Sequence, residues 1–377
     1  MKNRCLDTKF VQLGNQSDRK TGAVNPPIYL STAYKHDGLG QSTGYDYTRT
    51  KNPTRSILEE GIAELEGGDQ GYACSSGMAA IQLVLSLFRS GDELIAPEDI
   101  YGGTYRLFDQ YEDLYGIRTT YASFETVEEV EQLITEKTKA LFVETPTNPL
   151  MQQIEVAAFA DLAKKHGLYL IVDNTFLTPF FQRPIEEGAD IVIHSATKYI
   201  GGHNDVLAGL VVAKGDALCE QIGKNHNAIG ATLSPFDSWL VLRGLKTLHV
   251  RMRAHDANAK EIVAYLEKNP YIESVLYAGR GGMVSFRLQK SEWVAPFLES
   301  LSLITFAESL GGVESFITYP TTQTHMDIPV EERVRRGIDD RLLRFSVGLE
   351  DAEDVIQDLE QALKAASKTT ESVSTLS

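Results

Sequence analysis

Basic residues are in short supply. Thirty-six Lys and Arg face 52 Asp and Glu across 377 residues, a formal net charge of −16. That balance argues against a nucleic-acid partner or an anionic membrane surface. Cysteine is scarce too: Cys5, Cys74 and Cys219 stand far apart with no Cys-x-x-Cys spacing. This excludes a disulfide framework and a zinc site built on cysteine, and favours a reducing compartment. The eight histidines show no His-x-x-x-His pattern, so no metal is expected. No apolar run approaches the roughly 20 residues that span a bilayer. The opening Met1–Lys9 lacks the apolar stretch of a secretory leader, and the expected location is cytoplasmic. No Gly-x-Gly-x-x-Gly follows a strand and no Gly-x-Ser-x-Gly elbow appears, which leaves dinucleotide and serine-hydrolase chemistry without key residues.

What is present is ordinary for a globular enzyme: 42% hydrophobic and 23% charged residues. The length suits two packed regions plus an arm. Residues 1–50, rich in Gly, Asn, Thr and Tyr and broken at Asn25-Pro26-Pro27, read as an extended arm that must find burial elsewhere. Asn52-Pro53-Thr54 opens a helix with Ile57, Leu58, Ile62 and Leu65 on one side. Short apolar runs then alternate with helical patterns. Strands are predicted at 71–74, 93–96, 117–121, 140–143, 169–172, 191–194 and 210–212, with helices at 78–88, 105–115, 127–133 and 156–165 between them. Such alternation predicts an α/β fold with a mostly parallel, doubly wound sheet, here over residues 51–250. A long helix over 238–267 leads into a smaller α+β domain, 251–377, with strands near 284–287 and 343–347 and a polar, frayed tail from Ser367.

Two strings carry chemistry. Ser195-Ala196-Thr197-Lys198-Tyr199 lies downstream of Ile171-Val172-Asp173-Asn174-Thr175. Together they offer a lysine for an imine, hydroxyls for a phosphate and an acid for a pyridinium nitrogen, the needs of pyridoxal 5'-phosphate (PLP). Asp173 closes an apolar run, so desolvation demands a partner, and a ring N–H is one such partner; a helix N-cap is the plain alternative. Ser195 and Thr197, two apart, face one way if their segment is extended. Cys74-Ser75-Ser76-Gly77-Met78 follows a strand and opens a helix, where free N–H groups make an anion site; an ordinary Ser N-cap is the alternative. Tyr101-Gly102-Gly103-Thr104 sets an aromatic ring before a flexible turn, suited to stacking on a flat cofactor. In Leu343-Arg344-Phe345-Ser346-Val347, alternation puts Arg344 opposite the apolar face. There it could clamp a carboxylate or simply meet solvent.

With these strings in order, the chain resembles the Cys/Met-metabolism PLP-dependent enzymes from about Gly14 to Leu363. Further motifs carrying the resemblance are Tyr45-Asp46-Tyr47-Thr48-Arg49, Asn52-Pro53-Thr54-Arg55, Glu144-Thr145-Pro146-Thr147-Asn148-Pro149 and Glu308-Ser309-Leu310-Gly311-Gly312. The resemblance implies the aspartate-aminotransferase-like PLP fold type I. It implies that Lys198 holds the cofactor and shuttles protons, that Asp173 pairs the ring nitrogen and that Tyr101 stacks on the ring. Ser76, Gly77, Met78, Ser195 and Thr197 would bind the phosphate from their own subunit. Tyr47 and Arg49 would reach the phosphate of a neighbouring subunit. Asn148, Ser309 and Arg344 would hold the substrate's α-carboxylate, with Arg106 and Asp46 toward its distal part. The active unit would be a dimer, paired into a homotetramer.

Tyr277-Ala278-Gly279-Arg280 runs almost directly into Gly281-Gly282-Met283, where many members carry a long insertion. That shortening, Asp46 and the string Thr322-Gln323-Thr324-His325-Met326-Asp327-Ile328-Pro329 resemble most the bacillus-type cystathionine γ-synthase/O-acetylhomoserine thiolyase branch. The expected activity is γ-replacement on an O-acylhomoserine, with small amino acids as the partners. The alternatives are a γ- or β-lyase of the same family and, in another class, a non-catalytic PLP-binding regulator.

Overall fold

The computed structural model describes residues 4–326 and 328–374; Asp327, in the last of those strings, lies outside the described residues. The chain forms two compact units. The first gathers Met1–Pro97, Leu107–Val143 and Glu155–His249; the second gathers Glu98–Arg106, Glu144–Ile154 and Val250–Ser377. Two short segments that chain order assigns to residues 51–250 therefore group with the C-terminal residues. Their hydrogen bonds explain why. The Leu150 N–H donates to Asp99 at 3.2 Å, Arg336 donates to the Glu98 carbonyl at 2.7 Å, and the Ser285 hydroxyl donates to the Pro149 carbonyl at 2.7 Å.

The first unit is built on seven strands: β1 (Gln70–Cys74), β2 (Glu93–Pro97), β3 (Arg118–Ala122), β4 (Thr138–Glu144), β5 (Tyr169–Asp173), β6 (Ile191–Ser195) and β7 (Gly209–Ala213). They stand in the order β1-β7-β6-β5-β4-β2-β3. Pairs β2/β3, β2/β4 and β5/β6 are parallel, whereas β7 runs antiparallel to both neighbours. All seven predicted strands are present, each within two residues of its expected ends. Near-continuous burial along β5, β6 and β7 follows from helices covering both faces of such a sheet.

Helix Pro53–Glu66 starts where expected. The Asn52 side chain accepts from the Thr54 and Arg55 N–H groups, Pro53 needs no N–H there, and Gly67 at φ +80° ends the helix. The arm contains an unforeseen helix, Leu6–Gln12. Its one buried residue, Phe10, stacks on His249 with ring centroids 5.8 Å apart. A single apolar anchor leaves too little periodicity to recognise.

The second unit carries β8 (Ile272–Tyr277), β9 (Met283–Leu288), β10 (Thr305–Phe306), β11 (Phe316–Thr318) and β12 (Leu342–Ser346), ordered β10-β11-β12-β9-β8. Only β10/β11 is parallel among the pairs. Phe286, Phe297, Ile317, Leu343 and Phe345 form its core with residues of the long C-terminal helix, Leu359 and Leu363 among them. That helix spans Ala352–Ser374, so the tail read as frayed from Ser367 is helical to Ser374. The polar sequence continues a helix already anchored by Val355, Leu359 and Leu363. Among the described residues, no helix is long and apolar enough to cross a membrane.

Candidate active site

In the first unit, the ends of β5 and β6 bring two of the candidate strings together. Asp173 closes β5 and Ser195 closes β6. Thr175 ties them together: its N–H and hydroxyl donate to Asp173 Oδ1 at 3.0 and 2.6 Å, while its Oγ1 accepts the Ser195 N–H at 2.8 Å. Asp173 is thus no helix N-cap; its bonds form a local turn. After Ser195 the chain turns sharply, with the Lys198 N–H donating to the Ser195 carbonyl at 3.1 Å and the Gly202 N–H to the Lys198 carbonyl at 2.8 Å. The segment is a turn and not extended, so spacing alone does not aim Ser195 and Thr197 together. The Thr197 hydroxyl is already engaged with Ala208, accepting its N–H at 3.0 Å and donating to its carbonyl at 3.3 Å. Lys198, Ser195 and Thr197 are each half-buried.

The turn after β1 lies against the same edge. Ser76 caps helix Gly77–Leu85, accepting the Ala79 N–H at 3.1 Å, so the plain capping role holds for its side chain. A Cβ on Gly77 would sit 2.8 Å from Ser195 Cβ and 2.9 Å from its Oγ. A Cβ on Gly209 would fall 2.0 Å from the Ser76 carbonyl oxygen. Two glycines therefore let the helix N-terminus, with Met78 in its first turn, reach Ser195.

These residues fit PLP on two physical grounds. Burial lifts the Asp173 carboxyl above the ordinary carboxylate range, against the opposing pull of the Thr175 bonds and His194. Such a group is stabilised as the anion only by a further cationic or N–H partner, which a ring nitrogen supplies. The glycine-lined helix start offers backbone N–H groups where an anion would rest.

The second unit assembles the carboxylate-binding candidates. Arg344 on β12 is 2% exposed, because every residue of that strand is buried; a solvated strand face is ruled out. Its Nη1 donates to Asn148 Oδ1 at 3.1 Å, and its Nη2 donates to the Ser309 carbonyl at 3.2 Å and the Thr318 hydroxyl at 3.0 Å. Asn148, Ser309 and Arg344 are thus brought together. The three oxygens hold the guanidinium in a fixed orientation, the geometry suited to a carboxylate. Tyr101 donates its N–H to Glu144 Oε2 at 3.2 Å, and burial raises its phenol above the usual range. The residues after it form no flexible turn: Gly102 begins helix Gly102–Tyr115, where a Cβ would lie 2.2 Å from the Thr324 carbonyl. Close approach accounts for that glycine. Arg106 is exposed on this helix.

The arm holds the remaining candidates in the first unit. Asp46 is exposed, bonded to the Ser42 hydroxyl and 2.8 Å from His36 Nε2. The Ser42 bond holds its carboxyl below the usual range. Tyr47 is exposed and forms an isolated bridge with Ala33. Arg49 stacks over Tyr47 at 5.6 Å, and its Nη1 donates to Asn227 of its own chain, at 2.6 Å to the carbonyl and 2.8 Å to Oδ1.

Several participants escaped the sequence reading. Thr175 was legible as a hydroxyl two residues past Asp173. Gly209, Thr318 and the buried trio Glu66, Asn174 and His194 had no local signal, because their partners lie tens of residues away.

Comparison with known proteins is consistent along the whole chain. The profile of the Cys/Met metabolism PLP-dependent enzymes matches residues 7–364. The cystathionine gamma-synthase/O-acetylhomoserine (thiol)-lyase of Bacillus subtilis is 62% identical over 358 residues, covering 95% of this chain and 96% of that protein. The cystathionine gamma-lyase of the same organism is 49% identical over 373 residues, covering 95% and 98%. The crystal structure of cystathionine gamma synthase from Xanthomonas oryzae pv. oryzae, in complex with aminoacrylate and cysteine, superimposes with a TM-score of 0.94 at 41% identity, covering 97% and 99%.

Proposed function

Because the chain belongs to the Cys/Met metabolism PLP-dependent enzymes, we propose that it catalyses γ-replacement on an O-acylhomoserine, the O-acetyl ester foremost. Cysteine as the incoming thiol gives cystathionine, and sulfide gives homocysteine, in the service of methionine biosynthesis; the acyl group leaves as a carboxylate. One observation carries this reading. Identity is 62% to a relative named for γ-synthase and thiol-lyase activity but 49% to the γ-lyase from the same organism.

When bound, PLP supplies a protonated aromatic ring that stabilises negative charge developing on the substrate. Asp173 would hold the ring nitrogen, Tyr101 would cover the ring, and Ser76, Gly77, Met78, Ser195 and Thr197 would hold the phosphate. Thr197 can donate to a phosphate only by giving up its bond to the Ala208 carbonyl, since a hydroxyl has one proton. Lys198 would anchor the cofactor; released by the substrate's amine, its Nζ would take the proton from substrate Cα. A Cβ proton would leave as well, the carboxylate would depart from Cγ with the C–O bonding pair, the thiol sulfur would bond Cγ in its place, and protons would return to Cβ and Cα, so that the thiol's own proton leaves with the acid. Arg344, Asn148 and Ser309 would fix the α-carboxylate. Arg106 suits the ester carbonyl, and Asp46 the ammonium group of incoming cysteine.

We also propose a homotetramer of active dimers in which Tyr47 and Arg49 serve the neighbouring subunit's phosphate. The unpaired cysteines support a cytoplasmic setting. Steady-state rates with O-acetylhomoserine plus cysteine, set against cystathionine alone, test the reaction. Synthesis should exceed cleavage, and the reverse order would replace this assignment with the lyase.

A further inference from the structure

Beneath the ends of β5 and β6 lies a polar cluster that none of the roles above uses. Glu66, Asn174 and His194 are each 0% exposed. Glu66 is the last residue of helix Pro53–Glu66, held there by Gly67. Its Oε1 accepts from His194 Nε2 at 2.6 Å and from Asn174 Nδ2 at 3.0 Å. Asn174 Nδ2 also donates to the Gln182 carbonyl at 2.9 Å. Glu66 Oε2, His194 Nδ1 and Asn174 Oδ1 are buried with no hydrogen-bond partner.

An acid placed so deep, with half its acceptors unused, is costly unless it serves something. Leucine or methionine would fill the same space without that penalty. Its two partners identify what it serves. Asn174 directly follows Asp173, and His194 directly precedes Ser195. The strands are parallel and in register, Asp173 beside Ile193, and the Asn174 N–H donates to the Ile193 carbonyl at 2.9 Å. Side chains alternate across a strand, so Asn174 and His194 point to one face while Asp173 and Ser195 point to the other. One carboxylate oxygen therefore pins both strand ends from the face opposite Asp173.

We propose that Glu66, acting through His194 and Asn174, is a positioning residue for Asp173: it fixes the carboxylate that meets the cofactor's ring nitrogen and keeps it anionic. Lying between Glu66 and Asp173, His194 pulls the Asp173 carboxyl toward its anion. Further charged groups reach the cluster's neighbours: Glu187 accepts from the Gln182 side-chain amide at 3.1 Å, and Arg183 donates to the Leu65 carbonyl at 2.6 Å and pairs with Glu186 at 2.5 Å. Arg183 has its own carboxylate partner in Glu186, and Glu187 is bonded to Gln182 and not to Glu66, Asn174 or His194. The inference depends on PLP and on the role of Asp173, not on which acyl group or thiol reacts, so its test uses no substrate.

The measurement is the pH midpoint at which the bound cofactor's visible band changes form, together with cofactor retention on dialysis, in the holoenzyme. Asp173→Asn sets the scale. Glu66→Gln, nearly isosteric, should move the midpoint in the same direction by ~0.5 pH unit or more and weaken retention about three- to tenfold, as expected for a charge acting through one intermediary. Glu66→Asp, which keeps the charge but shortens the side chain, should restore much of the midpoint. A Glu66→Gln enzyme with lowered thermal stability but an unmoved midpoint would reduce the cluster to packing and overturn the proposal. An unmoved midpoint in Asp173→Asn would bring down the reading of Asp173 and this one together. If Glu66→Gln does not fold, His194→Gln provides the same readout from the other partner; failure of both to fold would likewise assign the cluster to stability alone.

Discussion

The edge of the large sheet and the arm that precedes it are built on opposite terms. At the ends of β5 and β6 the strands, turns and glycines satisfy one another. Thr175 bonds both Asp173 and the Ser195 N–H, and Val172, Val192 and Ile193 are fully buried. Along the arm, by contrast, Val24 and Leu30 are 74% and 77% exposed, and Tyr29 and Tyr47 lie open beside them. The link Ala33–Tyr47 is an isolated bridge, not a ladder. Apolar side chains left in water forgo about 25 cal/mol for each Å² they could bury. The lesson is that the two regions differ in where burial is completed: the strand ends bury their apolar side chains within the chain, whereas the arm leaves its own in water.

The sharpest way to break this contrast is to damage each side in turn. Lys198→Ala should leave the fold intact, since the turn around it is set by backbone bonds. It should lower turnover by at least ~10²–10⁴-fold, the loss expected for a missing proton carrier. Circular dichroism and steady-state rates check both halves; a retained rate would remove Lys198 from the chemistry. On the arm, Arg49→Ala should weaken PLP retention by roughly ten- to a hundredfold, the worth of one charge-assisted bond to phosphate. Mixing inactive Arg49→Ala with inactive Lys198→Ala subunits should return activity, because one site of a mixed dimer is then whole. Exchange of subunits without recovery would confine Arg49 to its own chain and its Asn227 contact.

A third test concerns the finished cores. Burial pushes His226 and His255 down to about 4 and His325 down to about 3. Their ordinary value is 6.5, so the unfolded chain binds more protons than the folded one below that pH. Stability should therefore be full above about pH 6.5 and fall as pH drops toward 4, each histidine costing at most about 1.4 kcal/mol per pH unit. Urea midpoints from pH 7 to 4 measure the slope. His226→Gln, which can still donate to the Ala73 carbonyl, should flatten it, and an unchanged slope would clear that residue. The smallest effect belongs to Asp46→Asn. An exposed charge is screened by water and salt, so the KM for cysteine should rise only several-fold. The half-reaction with O-acetylhomoserine alone should be spared; equal damage to both would end the division of labour between Asp46 and Arg106.

How much was legible in the sequence follows the same divide. Strand runs such as Ile191–His194 are continuous apolar stretches whose partners are also apolar, so the pattern reveals itself locally. Arg344 was ambiguous because alternation tells which face a residue takes but not what covers that face. Only Asn148, Ser309 and Thr318, distant in sequence, decide that its face is buried. Glu66 was invisible for a related reason: an acid at a helix end reads as a solvated charge until His194, 128 residues away, is seen against it. The helix Leu6–Gln12 was missed because a single buried side chain sets no period.

The meeting of Gly77 with Ser195 and of Gly209 with Ser76 behaves like a machined fit with no clearance. A methyl group at position 209 would need to occupy space 2.0 Å from a carbonyl oxygen, and one at 77 would press on Ser195 at 2.8 Å. Neither obstacle is the far end of a flexible chain, so neither can swing aside. Random variation should therefore be read there as a gap in the library: a saturation screen for cofactor retention should recover glycine almost alone at both positions, while neighbouring Ser75, exposed and clear of that seam, accepts many residues. An engineer wishing to open that seam would have to move backbone, since neither glycine has a side chain to trim.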